Sequence, residues 1–182
     1  MSWIPGVAFF VVFAWFIVSY NGLVRLRNRF RNAWHQIDVQ LKRRHDLIPN
    51  LVEVVKDYMS YEQETLKRVI DARGAAQAAR GAAAQAEAEN VLTGTLRSLF
   101  AVVENYPELK ADRNVSALQE ELAATENKIS FARQFYNDAV MAYNNMIQSI
   151  PSNVIASVFA FPPADYFRAE EESRAVPGAD LR

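Results

Sequence analysis

The residues best suited to take part in chemistry are the charged side chains in residues 38–52, DVQLKRRHDLIPNLV. Apolar residues recur there at helical spacing, and Arg44 and His45 fall beside them, between Leu41 and Ile48. A charge that faces a core must be paired, because an unpaired buried charge costs several kcal/mol. Structural ties are favoured over a functional pocket, since ion-pair networks also perturb charges. We therefore predict buried polar ties between helices, drawn from Asp38, Arg44, His45, Glu62, Glu126, Arg133 and Asn137.

Pro49 lies in the same charged stretch. A proline inside a helix removes one backbone donor, so the His45 carbonyl loses its usual partner and the helix bends. Alternatively, the helix ends near His45 and restarts with Asp46 as its cap, which places Pro49 in a tolerated first-turn position. In both cases the charged residues sit at a bend with a freed carbonyl, which Arg44 or an internal water can satisfy.

The sequence lacks the usual motifs of enzymes and metal sites. It has no cysteine and only two histidines, and it contains no Glu-x-x-His, no glycine-rich phosphate loop, no G-x-S-x-G and no H-E-x-x-H. His35 and Asp38 are the nearest pair of potential metal ligands, and no second histidine cluster completes them. The net charge of −1 lacks the basic excess of a nucleic-acid binder. We expect no catalytic, cofactor or metal site and no nucleic-acid partner.

Residues 3–20, WIPGVAFFVVFAWFIVSY, carry no charge. As a helix they span roughly 27 Å, close to the ~30 Å hydrocarbon thickness of a bilayer. A signal peptide is disfavoured because no Lys or Arg precedes the run and no small-x-small site follows it. A core helix would be shorter or less uniformly apolar. We predict a transmembrane helix at residues 1–21, anchored in the lipid bilayer by Trp3, Phe9, Phe10, Phe13, Trp15, Phe16 and Tyr20.

Four arginines follow the apolar run, and no basic residue precedes it. They are Arg25, Arg27, Arg29 and Arg31. The positive-inside rule therefore predicts a single-pass protein of the bacterial inner membrane, with its N-terminus outside and the rest of the chain in the cytoplasm. The same arginines can contact anionic lipid head groups. Residues 22–32 are interpreted as a basic stalk.

Residues 33–166 have the periodicity of a helical bundle. An apolar stripe from Trp34 to Ile70 predicts a helix of about fifty residues that leaves the bilayer directly. The alanine-rich residues 74–90 can form helix or loop. A second amphipathic run at 92–106 precedes a polar loop, PELKADRN, and a helix capped by Ser116.

The strongest periodicity in the chain lies between Leu122 and Ile150, where apolar residues alternate in steps of three and four until Pro151. This pattern predicts a helix with a coiled-coil-like seam. The following NVIASVFAFPPADYF is short and aromatic and is expected to fold back, while residues 167–182 are interpreted as a solvated tail. The predicted fold class is all-α: an N-terminal transmembrane helix that continues into a long antiparallel three- to four-helix bundle.

Two long stretches carry a family resemblance: YNGLVRLRNRFRNAWHQIDVQLKRRHDLIPNLVEVVKDYMSYE and TENKISFARQFYNDAVMAYNNMIQSIPSNVIASVFAF. Together with the N-terminal anchor, they resemble the LemA family of bacterial membrane proteins over nearly the whole chain. The resemblance implies a bundle of long helices on a single-pass anchor. It implies no enzymatic activity and supplies no catalytic residues. Relatives of this kind are linked to membrane stress responses, to membrane zinc metalloproteases and to magnetosome formation.

Two hypotheses about function follow, and neither is enzymatic. In the first, the chain self-associates into a structural or membrane-organising assembly, because a second, partly apolar row remains on the long helices. That row consists of Leu47, Val54, Tyr61, Phe131 and Phe135; the alternative is that other segments of the same bundle cover it. In the second hypothesis, the chain is an adaptor that presents its bundle to a membrane protease or signalling protein, with the alanine-rich segment and the tail as mobile contacts.

Overall fold

The structure is a computed structural model that describes residues 3–59 and 61–167. This part of the chain forms helices and no strand. The helices are α1 (Ile4–Val55), α2 (Gln63–Ala78), α3 (Ala82–Val103), α4 (Pro107–Ala111), α5 (Arg113–Gln148) and α6 (Ser152–Val158). The predicted all-α class with a long apolar N-terminal helix is confirmed. Of the predicted tail, only Phe167 lies among the described residues.

The chain packs as two compact units. Within the described residues, the first unit contains residues 3–38 and 131–166, and the second contains residues 39–59, 61–130 and Phe167. Helices α1 and α5 contribute residues to both units, because each is longer than one core of this size can cover. The domain boundaries predicted from sequence, 1–21, 22–32, 33–166 and 167–182, stay predictions.

In the first unit, α1 and α5 run antiparallel. The ring centroids of Trp34 and Tyr136 are 5.4 Å apart, and those of Phe30 and Tyr143 are 5.0 Å apart. Further toward the N-terminus of α1, a Cβ added at Gly22 would lie 2.7 Å from Met146 Cε. The two helices therefore approach closely at Gly22, where a larger residue would push Met146 aside.

Residues 159–166, the return segment, fold back along α5 as the sequence predicts. The Tyr143 hydroxyl donates to the Pro162 carbonyl at 2.8 Å, and the Tyr136 hydroxyl donates to the Asp165 carbonyl at 2.8 Å. Asn144 makes a two-way contact, since its amide donates to the Ala164 carbonyl and accepts from the Ala164 N–H. Three side chains of α5 thus satisfy the backbone of a segment that has no regular secondary structure of its own.

In the second unit, α2 and α3 form an antiparallel hairpin joined at residues 79–81. Gly81 has a φ of 84°, a left-handed conformation that glycine adopts without strain. The alanine-rich segment is therefore helical on both sides of a short break, which answers the question that the sequence left open. Its small side chains let the two helices approach, and three of them are buried: Ala76, Ala82 and Ala86.

The helix that leaves the apolar segment ends at Val55, earlier than predicted. The N–H groups of both Tyr58 and Met59 donate to the Val55 carbonyl, which ends the regular ladder. If α1 continued as a straight helix, Leu66 would lie about 20 Å further along its axis than Leu51 and Val55. Reversing the chain instead places Leu66 in the same core as Ile48, Leu51 and Val55.

Three further predictions from the sequence are wrong. The predicted polar loop contains helix α4, because Leu109 is fully buried and draws the segment onto the core. Helix α5 begins before Ser116: Asp112 Oδ1 accepts from the N–H groups of Asn114 and Val115, so Asp112 caps this helix. Ile150, the last residue of the predicted seam, is 86% exposed, since α5 ends at Gln148.

The buried hydroxyl of Tyr136 gives a test of the return segment. Burial, with the nearby Asp165 carboxylate as a second cause, raises the pKa of Tyr136 from 10.0 to about 12. Because the folded pKa lies above the unfolded one, this tyrosine contributes stability up to about pH 10, which is lost as the pH rises toward about 12. In an ultraviolet titration of tyrosinate, Tyr136→Phe is expected to remove a late-titrating component. Tyr61→Phe, at a residue that is 94% exposed, is the control and should keep it. An unchanged late component in Tyr136→Phe would contradict this packing.

Candidate functional site

The N-terminal part of α1 has the surface of a lipid-facing helix. Within α1, an 18-residue window has a mean hydropathy of 2.1, and only 17% of that window is buried. A core helix of equal hydropathy would be mostly buried. This is the one helix in the described residues that is long and apolar enough to cross a membrane. The predicted anchor residues Trp3, Phe9, Phe10, Phe13 and Trp15 are exposed, whereas Phe16 and Tyr20 pack on the core of the first unit.

The four arginines that follow this segment differ in their surroundings. Arg25 and Arg31 are exposed. The Arg27 guanidinium lies over the Phe161 ring at 4.9 Å, and the Arg29 guanidinium lies over the Phe135 ring at 5.5 Å. Two of the four therefore combine their charge with a cation–π contact in the first unit, while lipid contact by these arginines stays a prediction.

A buried carboxylate organises the second unit. Glu89 on α3 is fully buried, and its Oε1 lies 2.8 Å from His45 Nε2 and 3.0 Å from Gln85 Nε2. An ionised carboxylate only accepts, so the ring nitrogen carries the hydrogen of its bond. The other oxygen, Oε2, accepts from Arg44 Nη1 at 3.4 Å. Glu89 therefore joins α3 to α1 through two consecutive residues of α1.

Arg44 is the cationic centre of this cluster and is 2% exposed. Its Nη2 donates to Thr93 Oγ1 at 2.8 Å, and its Nη1 lies 2.9 Å from Glu126 Oε2 on α5. The contact with Glu126 is close but poorly aligned for a hydrogen bond, so its contribution is electrostatic. With two carboxylates and a hydroxyl around it, the buried guanidinium is compensated from two helices.

Pro49 is accommodated inside α1 without ending it, since the helix continues to Val55. Proline leaves the carbonyl four residues earlier without a donor, which here is the carbonyl of His45. Arg73 on α2 supplies that donor: its Nε lies 2.7 Å from the His45 oxygen. The alternative in which the helix restarts at Asp46 is wrong, and the expected donor, Arg44 or water, is replaced by Arg73.

The remaining residues predicted as buried ties lie elsewhere. Asp38 is exposed on α1, at the margin of the apolar stripe. Glu62 lies in the turn before α2, because the chain has already reversed at Val55. Arg133 and Asn137 are half-buried on α5 in the first unit. The cluster thus contains three of the seven predicted residues, Arg44, His45 and Glu126.

Sequence reasoning missed Glu89 although a signal for it exists. Because the alanine-rich residues 74–90 can form helix or loop, their charged residues are not among the predicted ties. Helical spacing nevertheless places Glu89 three residues after Ala86 and three before Leu92, on the stripe that continues to Leu96 and Leu99. A lone acid on such a stripe indicates a buried partner of opposite charge. Arg73 had no comparable signal, because its role depends on the chain reversal.

The polar groups of this cluster bond to one another. Thr93, the one hydroxyl in contact with Arg44, donates its own hydrogen to the Glu89 backbone carbonyl at 3.0 Å. It therefore has no base that would activate it as a nucleophile. Among the described residues, no group of three or more His, Cys, Asp or Glu side chains is arranged to hold a metal ion. The geometry accounts for Glu89, Arg44 and His45 as mutual partners.

A cavity of about 190 Å³ adjoins the cluster on its α5 side. Arg44, Thr93 and Glu126 form its polar end. Leu96, Phe100 and Leu122 contribute apolar walls. Arg97 and Gln119 also line the cavity, so it combines apolar walls with further polar side chains.

Comparison with known proteins identifies the family. The model of the LemA family matches residues 33–180, which include residues 33–55 of α1, all of α2–α6 and the buried cluster. The chain belongs to the LemA family.

Among its relatives is Protein LemA of Metamycoplasma hominis, which is 24% identical over 179 residues, covering 97% of this chain and 80% of that protein. Magnetosome protein MamQ 1 and MamQ 2 of Paramagnetospirillum magneticum are each 23% identical over 178 residues, covering 84% of this chain. The LemA-family chain spans 65% of the length of these two MamQ proteins. Membership in this family and the apolar α1 together identify a membrane-associated helical protein.

The pairing of Pro49 with Arg73 gives a testable coupling. Arg73→Met removes the donor to the His45 carbonyl and is expected to lower the free energy of unfolding by about 1–3 kcal/mol. Pro49→Ala restores an N–H that can donate to the same carbonyl. In that background Arg73→Met should cost roughly 1 kcal/mol less. Denaturant unfolding of the four full-length variants in detergent measures the coupling, and equal costs in both backgrounds would contradict this assignment.

Proposed function

We propose that this LemA-family chain is a non-enzymatic membrane-anchored protein that self-associates into a structural or membrane-organising assembly. Its anchor is the apolar part of α1 in the bacterial inner membrane, with the N-terminus outside and the helical units in the cytoplasm. The observation that carries self-association is an apolar, exposed row on α5 in the first unit.

That row follows helical steps of three and four. Its exposed members are Phe131, Gln134, Phe135, Asp138, Met141 and Asn145. Phe131 is 73% exposed, Met141 is 49% exposed and Phe135 is 40% exposed. The row carries one charge of its own, on Asp138, and the Arg29 guanidinium lies over its Phe135 ring. An exposed helical face that carries two phenylalanines is more apolar than a solvated helix requires, and it suits a second copy of the same chain.

The other members of the predicted second row behave differently. Leu47 and Val54 are partly buried against the core of the second unit, so that unit itself covers them. Tyr61 is 94% exposed but lies in the turn before α2, away from any helical face. The proposed contact surface is therefore limited to α5, with Phe131 as its most exposed apolar member.

Membrane anchoring strengthens a weak contact of this kind. Chains held in one bilayer meet at a high effective concentration, so a modest apolar face suffices for association. The row on α5 lies in the same unit as the anchor. Anchors that lie side by side would bring the α5 faces of neighbouring copies together.

The adaptor hypothesis stays a second prediction with weaker support. The alanine-rich segment that it uses as a mobile contact is folded into α2 and α3, with three of its alanines buried. The tail that it also uses lies outside the described residues. The names of the MamQ relatives refer to the magnetosome, but this chain spans only 65% of their length, so that process is not carried over.

Native mass spectrometry of the full-length chain in mild detergent tests self-association. The wild type is expected to give dimers or larger assemblies. Phe131→Ser removes an apolar contact worth about 1.5–3 kcal/mol when buried, so association should weaken about tenfold to a hundredfold. Tyr61→Ser is the matched control, since it removes an even more exposed aromatic ring that lies off the α5 face. A strictly monomeric wild type, or equal effects of the two substitutions, would defeat the proposal.

A further inference from the structure

The segment around α6 is unusually poor in charge for an exposed part of a protein. No Asp, Glu, Lys, Arg or His occurs between Asp138 and Asp165. This stretch contains the end of α5, all of α6 and most of the return segment. Charged residues make up 23% of the whole chain, so their absence here marks a distinct surface.

One face of this segment is apolar and exposed. Ile150, Val154 and Val158 recur at intervals of four and are 86%, 61% and 72% exposed, and the adjoining Phe159 is 45% exposed. The opposite face holds Ile155 and Ala156, which are buried in the core of the first unit. Helix α6 thus has two apolar faces, of which one is buried in the core and the other is exposed.

The position of this face is set by its contact with α1. The Phe159 ring lies 5.0 Å from the Tyr20 ring and 5.7 Å from the Phe16 ring, measured between centroids. Tyr20 is the last residue of the uncharged apolar run, and Phe16 lies one turn earlier, about 6 Å deeper along the helix. Phe159 therefore lies at the level where the apolar segment of α1 ends.

The polar side of this level is also marked. Arg27 lies over the Phe161 ring, about 10 Å beyond Tyr20 along α1. Phe159 and Phe161 both contact the Tyr20 ring, at 5.0 Å and 5.9 Å. Along α1 the apolar segment is followed by the aromatic cluster and then by the cation of Arg27. Side chains follow the same order where a transmembrane helix passes through the membrane interface.

The backbone fixes this arrangement. Helix α6 ends in a Schellman motif: the Phe161 N–H donates to the Ala156 carbonyl at 2.9 Å, and the Ala160 N–H donates to the Ser157 carbonyl at 3.3 Å. Ala160 has a φ of 51°, in the left-handed region that residues with a Cβ rarely adopt. Ala160 thereby turns the chain so that Phe159 and Phe161 both reach Tyr20.

We propose that residues 149–160, which include α6, form a second membrane contact. This contact lies in the interfacial zone of the same bilayer that α1 crosses. Val154, Val158 and Ile150 face the boundary between head groups and acyl chains. Short apolar elements occupy that zone, about 5–10 Å into the boundary. This inference rests on the membrane placement of α1 given above and not on self-association.

Lipid explains the surface better than water or another copy of the chain. Water would leave four apolar side chains exposed in one patch beside an apolar helix. A second copy would cover them, but the patch is continuous with the lipid-facing surface of α1 through Phe16 and Tyr20. The neighbouring α1 residues Ile17 and Val18 are also exposed, at 43% and 64%.

Because the chain has no cysteine, single-cysteine labelling tests this inference directly. The full-length Val158→Cys variant carries an environment-sensitive fluorophore in phosphatidylcholine vesicles that contain lipids with a quencher on the acyl chain. Val11→Cys is the positive control in the apolar segment, and Tyr61→Cys is the control for water exposure, since Tyr61 is 94% exposed in the turn before α2. Iodide in the buffer reports exposure to water.

The expected result is that acyl-chain quenchers act at Val158→Cys as they do at Val11→Cys, and that iodide acts only at Tyr61→Cys. Quenching of Val158→Cys by iodide, with Val11→Cys still quenched by lipid, would overturn this inference and leave the membrane anchor standing. Insensitivity of the labelled variant to both quenchers, together with a disulfide between two unlabelled Val158→Cys chains when an oxidant is added, would assign the face to a second copy instead. If Val11→Cys is also insensitive to lipid, the membrane placement itself is wrong.

Discussion

The packing of the second unit depends on one buried interaction, the carboxylate of Glu89 between Arg44 and His45. Neither charge has access to water, so each is tolerated only because the other is in place. Moving α3 along α1 by one turn would separate them at a cost of several kcal/mol, whereas the alanine and leucine contacts around them would be nearly unchanged. The ionic cluster therefore sets the register of helices whose apolar faces alone would permit sliding. Arg73 extends the same logic to α2 by satisfying the carbonyl that Pro49 leaves free.

The first unit solves a different physical problem, because part of it lies beside lipid. Its core is built from aromatic rings on α1 and α5 and from a return segment whose backbone is satisfied by tyrosine and asparagine side chains. Its surface changes from uniformly apolar at the start of α1 to a mixture of arginine and aromatic residues beyond Tyr20. The membrane contact inferred for α6 and the self-association face proposed on α5 are two separate apolar surfaces of this unit. The first adjoins Tyr20 on α1, and the second runs along α5 from Phe131 to Asn145.

Much of the fold follows from periodicity, and the failures have physical causes. The length and lack of charge of residues 3–20 predict the apolar helix, and the steps of three and four after Leu122 predict α5. The reversal after Val55 was not predicted, because no glycine or proline marks it and the stripe continues in phase through Leu66. Within the candidate site, Arg44, His45 and Glu126 follow from charges on apolar stripes. Glu89 was not predicted because it lies in the alanine-rich residues 74–90, for which helix and loop both stayed open. The role of Arg73 cannot be predicted without the three-dimensional fold.

The most direct test of the central claim is the stability of variants in the Glu89 cluster. Glu89→Leu removes the acceptor shared by Arg44 and His45, and it should lower the free energy of unfolding by about 3–5 kcal/mol, because a buried guanidinium loses a partner. The double variant Arg44→Met with Glu89→Leu removes both charges and should recover most of that loss. Denaturant unfolding of the full-length chain in detergent measures both. A Glu89→Leu variant as stable as the wild type, or a double variant no more stable than the single one, would contradict the claim that this ion pair holds α1 and α3 in register.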